Sequence, residues 1–135
     1  MRLAIIESPY ASKSNIEAVR LMQVRENEHY ARRLMSWAFA HGFAPYASHL
    51  LYTQPGVLDD RIASERTLGI EAGLAWGRCA SISIVGLDLG ISTGMSYGIR
   101  RAALDNREIR YVMLDSDLTY ARLDEMLREA GLVDP

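Results

Sequence analysis

The chain has 135 residues, 49% hydrophobic and 24% charged, with 15 Lys and Arg against 17 Asp and Glu. That is the balance of one ordinary globular domain over residues 1–135, and a formal charge of −2 gives no basic face for nucleic acid. One cysteine, Cys79, excludes an internal disulfide and a cysteine-based metal cluster within the chain, and no apolar run is long enough for a membrane span or a signal peptide.

These bounds point to a cytoplasmic protein with no metal, no cofactor and no membrane or nucleic-acid partner. In chain order, Leu3 to Ile6 is a short apolar run that ends in Ser8-Pro9-Tyr10, a strand delivered straight into a loop. Tyr10 can stack on a base or hydrogen-bond a sugar, and can equally be a loop-packing aromatic. Residues 11–15 are polar, and Ile16 to Gln23 is either an extra helical turn or part of a lid. From Glu26 to His41, Tyr30, Leu34, Trp37, Ala38 and His41 recur at spacings of three and four, which predicts a helix with Arg32 and Arg33 solvated. Gly42 is its natural stop.

Phe43 to Ala47 reads as a second strand, with Pro45 suited to a first or edge position. Ser48 to Gln54 has no clear period and reads as an ordered loop. His49 follows the strand directly, as a structural histidine or a site residue. No histidine has metal-ligand spacing. Asp59-Asp60 reads as the start of a helix over Ile62 to Trp76, where negative charge is favourable, or instead reaches a ligand. Ile62, Leu68, Ile70, Leu74 and Ala75 would line its buried side.

Ala80 to Ala102 is the richest stretch. Ile82 to Val85 is a β-branched run, Met95 to Leu104 a helix, and between them lies Gly86-Leu87-Asp88-Leu89-Gly90-Ile91-Ser92-Thr93-Gly94. A strand, a glycine-spaced turn and a helix start form a natural anion site, because the first helical N–H groups lack partners and the dipole is positive there. Asp88 is placed to accept from sugar hydroxyls, or is a turn residue. Ser92 or Thr93 contacts an anion, or is only an N-cap. Cys79, at the start of this run, is expected to be buried and inert.

Glu108 to Leu114 gives a further strand. Asp115-Ser116-Asp117 is expected to cap a last helix from Leu118 to Ala130, with Asp134-Pro135 as a tail. The βα, βα, βα, βα order predicts a parallel sheet with helices on both faces. Its C-terminal edge would collect Tyr10, His49, Asp88 and Ser92, the expected place for a small-molecule site.

The chain resembles the nucleoside 2-deoxyribosyltransferase-like superfamily, closest to a small branch common among bacterial and phage proteins. The resemblance runs along nearly the whole chain. It is carried by Ser8-Pro9-Tyr10, by Asn27 to Arg32, and by Gly42 with Pro45. Ser48 to Gln54, Leu58-Asp59-Asp60, Glu65-Arg66 and Gly69 follow, and then Asp88 with Gly90-Ile91-Ser92-Thr93-Gly94-Met95. It implies a flavodoxin-like or Rossmann-like three-layer sandwich, a mainly parallel sheet of four to five strands, and a homo-oligomer whose sites are completed by a neighbour. It marks Ser8, Tyr10, His49, Asp88, Gly90, Ser92, Thr93, Gly94 and Met95 as ligand-binding candidates for a nucleotide or nucleoside.

In that superfamily a glutamate on the helix after the glycine-rich turn attacks the anomeric carbon and forms a covalent deoxyribosyl intermediate. The transferases show Gly-Thr-Ala, any residue, Glu. The related deoxynucleotide hydrolases show Ser, any residue, Gly-Val, any residue, Tyr-Glu. This chain reads Ser92-Thr93-Gly94-Met95-Ser96-Tyr97-Gly98. The alignment puts Ser92 on the hydrolase serine that holds the 5′-phosphate, Asp88 near the sugar-contacting aspartate, and Gly98 where the glutamate stands. Glycine cannot attack carbon. The expectation is therefore a nucleotide- or nucleoside-binding protein without the usual covalent glycosidase chemistry, sensing or sequestering its ligand. The alternatives are an active N-glycosidase or deoxyribosyltransferase with a relocated carboxylate, for which Glu65 and Glu71 are candidates, and a structural or partner-binding protein with a vestigial pocket. Arg100 and Arg101 either support a ligand's charge or are solvated.

Overall fold

Four short apolar runs become four parallel strands. The computed structural model describes residues 1–133; the expected tail at Asp134-Pro135 lies outside the described residues. In chain order come β1 (Arg2–Glu7), α1 (Glu17–Ala40), β2 (Phe43–Tyr46), α2 (Ser48–Leu51), α3 (Ala63–Gly77), β3 (Ile82–Gly86), α4 (Thr93–Leu104), β4 (Glu108–Val112) and α5 (Tyr120–Glu129). The sheet order is β2-β1-β3-β4, with every neighbouring pair parallel. Pro45 sits on the edge strand, where its missing N–H leaves no interior ladder position empty.

The period of two along the strands divides the core between the faces. Ala4, Ile6, Ile82 and Ile84 pack with Tyr30, Leu34 and Ala38 of α1. Val85 packs on the other side with Met95 and Ile99 of α4 and Met126 of α5. The result is a three-layer flavodoxin-like or Rossmann-like sandwich. No helix among the described residues is long and apolar enough to cross a membrane.

Several local expectations are corrected. The stretch over 16–23 is neither a separate turn nor a lid but the start of α1, which runs unbroken to Ala40. Residues 48–51 form the short helix α2. On α3 only Gly77 is fully buried, and Leu68 and Trp76 are 54% and 57% exposed, so the apolar side expected to enter the core lies largely open. Cys79 is exposed, because the chain is still turning between α3 and β3 at that point. The α5 cap is Thr119, whose hydroxyl accepts from the Arg122 N–H at 3.1 Å. Asp115 is instead held in an ion pair by Arg33, which is therefore not simply solvated. Arg101 pairs with Asp105, and Arg100 donates to the Gly131 carbonyl at 3.2 Å.

Gly86 sets how closely α1 approaches the sheet. A β-carbon there would run into Leu34 and lie 2.7 Å from the Tyr30 hydroxyl oxygen. Both neighbours are buried, so the overlap cannot be relieved by a side chain swinging into solvent. Gly86→Ala is expected to destabilise the fold by about 1–3 kcal/mol, the usual cost of overpacking, measured as a lower urea midpoint with an unchanged slope.

Candidate functional site

The C-terminal ends of β1, β2 and β3 open onto one cleft of about 330 Å³. Strand β1 delivers Ser8 and Tyr10 into its wall. The Tyr10 loop is pinned from behind by buried Asn27, whose side-chain amide donates to the Tyr10 carbonyl at 2.8 Å. Strand β2 runs into α2, which presents His49. Ser8 Oγ lies 2.9 Å from His49 Nε2, and the Tyr10 and His49 rings meet edge to face with centroids 6.1 Å apart. Beyond β3, residues 92–95 at the start of α4 line the same cleft. Ser92 caps α4, its Oγ accepting from the Met95 N–H at 3.2 Å. The cap uses the oxygen as acceptor and leaves the hydroxyl proton free to donate.

The structure thus brings together Ser8, Tyr10, His49, Ser92, Thr93, Gly94 and Met95. Asp88 and Gly90 are not among the cleft's lining residues. Asp88 is engaged behind it: its carboxylate accepts from the Tyr30 hydroxyl, from the Leu114 N–H at 2.9 Å and from the Asp115 N–H at 2.9 Å. Burial opposes ionisation of Asp88, but these donors outweigh it and hold the carboxyl below the usual aspartate range. Gly90 adopts φ +86, the left-handed geometry that suits glycine in a turn.

One residue that periodicity did not single out stands in the lining. Glu7 is the last residue of β1, paired with Val85 in β3, and turns its side chain to the α4 side of the sheet. A β-carbon built on Gly98 would collide with a Glu7 carboxylate oxygen and lie 2.6 Å from Glu7 Cδ. Glu7 keeps some solvent contact through the cleft, yet protein closes around it. Desolvation pushes its pKa up to about 8, against a smaller lowering pull from Arg107. The sequence signal was present: an acid at the C-terminal end of an apolar strand, on the same face as Ile5. Of the two carboxylates suggested as replacements, Glu65 lines the cleft, where it accepts from the Asp59 N–H at 3.3 Å, and Glu71 does not. Lys13, Asp60 and Arg66 complete the charged rim. Asp60 thus faces the cleft, and α3 starts after Ile62 without a side-chain cap.

The Ser8–His49 pair has the spacing of a nucleophile and its base. Burial, however, pushes the His49 pKa down to about 4, which makes it a weak base. Among the described residues no carboxylate is hydrogen-bonded to its other nitrogen, so the pair is better suited to holding a ligand than to attacking one. A more open groove of about 820 Å³ continues from the cleft between the first turns of α1 and residues 53–61, sharing Tyr10, Ser12 and Arg66 with it. Among the described residues no group of three or more His, Cys, Asp or Glu is placed to hold a metal ion.

One family match spans residues 2–112, from β1 to the end of β4. The chain belongs to DUF7768, a domain of unknown function. The DUF7768 match includes every residue that lines the cleft and stops before α5. No curated protein and no solved structure matches the chain.

Glu7 and His49 give the fold opposing pH dependences. The fold keeps a proton on Glu7 that the unfolded chain releases above about pH 4.5, so this contribution falls as pH rises and is gone above about 8. The fold keeps His49 neutral where the unfolded chain binds a proton, so that contribution is lost as pH falls from about 6.5 toward 4. The two slopes oppose each other in the acid range, and Glu7 acts alone from about 6.5 to 8. Stability is expected to drop by on the order of 1–2 kcal/mol across that upper window. Glu7→Gln should flatten the drop in urea titrations at a series of pH values. An unchanged slope would show that Glu7 titrates normally.

Proposed function

We propose that this DUF7768 protein binds a nucleotide or nucleoside derivative in the cleft at the C-terminal edge of its sheet. The observation that carries the reading is the convergence of two unlike surfaces on one cleft. The start of α4 offers the Thr93 and Gly94 N–H groups, the Ser92 hydroxyl and the positive end of a twelve-residue helix, an environment suited to a phosphate. Tyr10, edge-on to His49, offers an aromatic surface and hydroxyl-competent polar groups, suited to a base or sugar. The adjoining groove leaves room for a ligand larger than one sugar. The resemblance to the nucleoside 2-deoxyribosyltransferase-like superfamily supports the same reading, and Gly98 stands where that superfamily's covalent route needs its glutamate. The resemblance also implies an assembly of like subunits. The bare side of α3, with Leu68 and Trp76, is the surface such an assembly would cover.

Calorimetry and thermal shift against nucleosides and their 5′-monophosphates test the reading. A ligand present at a hundred times its Kd should stabilise the fold by about 2.7 kcal/mol. Ser92→Ala is expected to weaken a nucleotide by about tenfold or more, the scale of one hydrogen bond to a charged group, and to leave the matching nucleoside nearly unchanged. Equal losses for both would remove the phosphate from the α4 terminus, and no binding of either would end the proposal.

A further inference from the structure

We propose that Glu7 sets the charge selectivity of the cleft: an anion enters together with a proton, and the Glu7 carboxyl holds that proton for as long as the anion stays. The inference rests on the anion-binding part of the reading above and holds whatever else the ligand carries. When binding starts from the ionised carboxyl, the proton comes from water or buffer, and it returns there on release. No covalent bond in the ligand is made or broken.

Position comes first. Glu7 ends β1 inside the cleft and lines it together with Ser92, Thr93, Gly94 and Met95 at the start of α4. Its carboxyl lies against α4 at Gly98, in the space that a β-carbon there would need. Among the described residues this carboxyl has no hydrogen-bond or ion-pair partner. Its oxygens are not sealed off either, because Tyr46 Oη is the one fully buried, unpartnered side-chain polar atom among those residues. The carboxyl thus opens on the cleft with its hydrogen-bonding capacity unspent. Asp88, also at the C-terminal edge of the sheet, is the contrast. The Tyr30 hydroxyl and the N–H groups of Leu114 and Asp115 hold its charge, and it does not line the cleft.

Electrostatics follows from the setting. In a cleft of about 330 Å³ a bound anion and Glu7 share one small, partly dehydrated space, where like charges disfavour each other. A proton on Glu7 removes that repulsion and adds an O–H donor to the Ser92 hydroxyl and the first N–H groups of α4. Burial already favours the protonated form, raising the Glu7 pKa to about 8, so the cleft is mostly loaded with its proton near neutral pH. A neutral ligand meets no such repulsion and has no need of the proton. The other groups around Glu7 come from every neighbouring element. Arg107, just before β4, pulls toward the ionised form as the lesser effect. His49 on α2 is neutral here, because burial lowers its pKa to about 4. Tyr10 and Lys13 follow β1, and Tyr52, Asp60, Glu65 and Arg66 complete the lining. Strand β3 has no titratable side chain, and residues 93–98 of α4 have only the exposed Tyr97.

The test is calorimetry of the full chain with nucleoside 5′-monophosphates and with the matching nucleosides, from about pH 7 to 9, in buffers of different ionisation enthalpy, which counts the protons taken up on binding. A 5′-phosphate loses its second proton near pH 6, so above about pH 8 any proton taken up belongs to the protein. The expected result is uptake that rises from near zero at about pH 7 toward about one per bound monophosphate at about pH 9. Monophosphate affinity should fall by up to about tenfold per pH unit above 8, while nucleoside affinity stays level. Glu7→Gln should abolish the uptake and make monophosphate affinity independent of pH over this range. Asp60→Asn combined with Glu65→Gln removes the other carboxylates of the cleft and should leave the uptake in place, whatever it does to affinity; this variant decides the matter if Glu7→Gln fails to fold. Monophosphate binding without uptake would overturn the role of Glu7 and leave the binding reading standing. Uptake that survives Glu7→Gln, or that vanishes with Asp60 and Glu65, would overturn it as well, and so would a nucleoside that loses affinity in parallel. Failure of every monophosphate to bind would overturn both this inference and the phosphate reading.

Discussion

The carboxylate of Asp88 is the joint on which the C-terminal edge of the sheet depends. It sits just past β3 and gathers donors from two other parts of the chain: the Tyr30 hydroxyl on α1 and the N–H groups of Leu114 and Asp115 beyond β4. The Tyr30 oxygen in return accepts from the Asp88 N–H at 3.0 Å. Hydrogen bonds to a charged group contribute about 1.5–3 kcal/mol each where both partners are shielded. Here they also end the β4 ladder, because Leu114 and Asp115 donate to a side chain. Asp115 then turns outward to Arg33, a second tie to α1. The strand-end loops are held from below, and the cleft beside them inherits that rigidity.

On the other side of the sheet the governing constraint is volume. Gly98 has no side chain, and the space it leaves is filled by a carboxyl from the neighbouring strand. Arg107 supports the same region at longer range. It is buried, donating to Ser83 Oγ at 2.8 Å and to the Gly77 carbonyl at 2.8 Å, and its charge opposes part of the cost of burying Glu7. A cleft floor made this way has a titratable group where a packed apolar side chain would give more stability.

The sequence was informative wherever a local rule dominates. Short, largely apolar runs bounded by turn residues marked all four strands, and the strand–turn–helix at Ile82 to Leu104 marked the side of the cleft that α4 builds. The rules failed where a distant partner decides. Asp88 looked free to meet a ligand because its donors lie 58 and 26 positions away along the chain. Nothing near residue 7 says that residue 98 is glycine for its sake; only the β1–β3 register brings them together. The α3 misreading has another cause. Its apolar residues have helical spacing, but the sheet is already covered by α1 on one face and by α4 and α5 on the other.

The strand order carries a consequence for how the chain assembles. Strand β1 is made first, yet it is an interior strand whose two neighbours, β2 and β3, both come later. Pairing with β2 closes the loop that holds α1; pairing of Ala4 with Ile82 closes a longer one that also holds β2, α2 and α3. Long-range closure is entropically costly and slow. In the unfolded chain Glu7 is hydrated and titrates as an ordinary acid. Packing β3 and α4 against it strips that water away, so the carboxyl takes up a proton on folding. The burial that gives the cleft its acid therefore couples completion of the sheet to the pH around it.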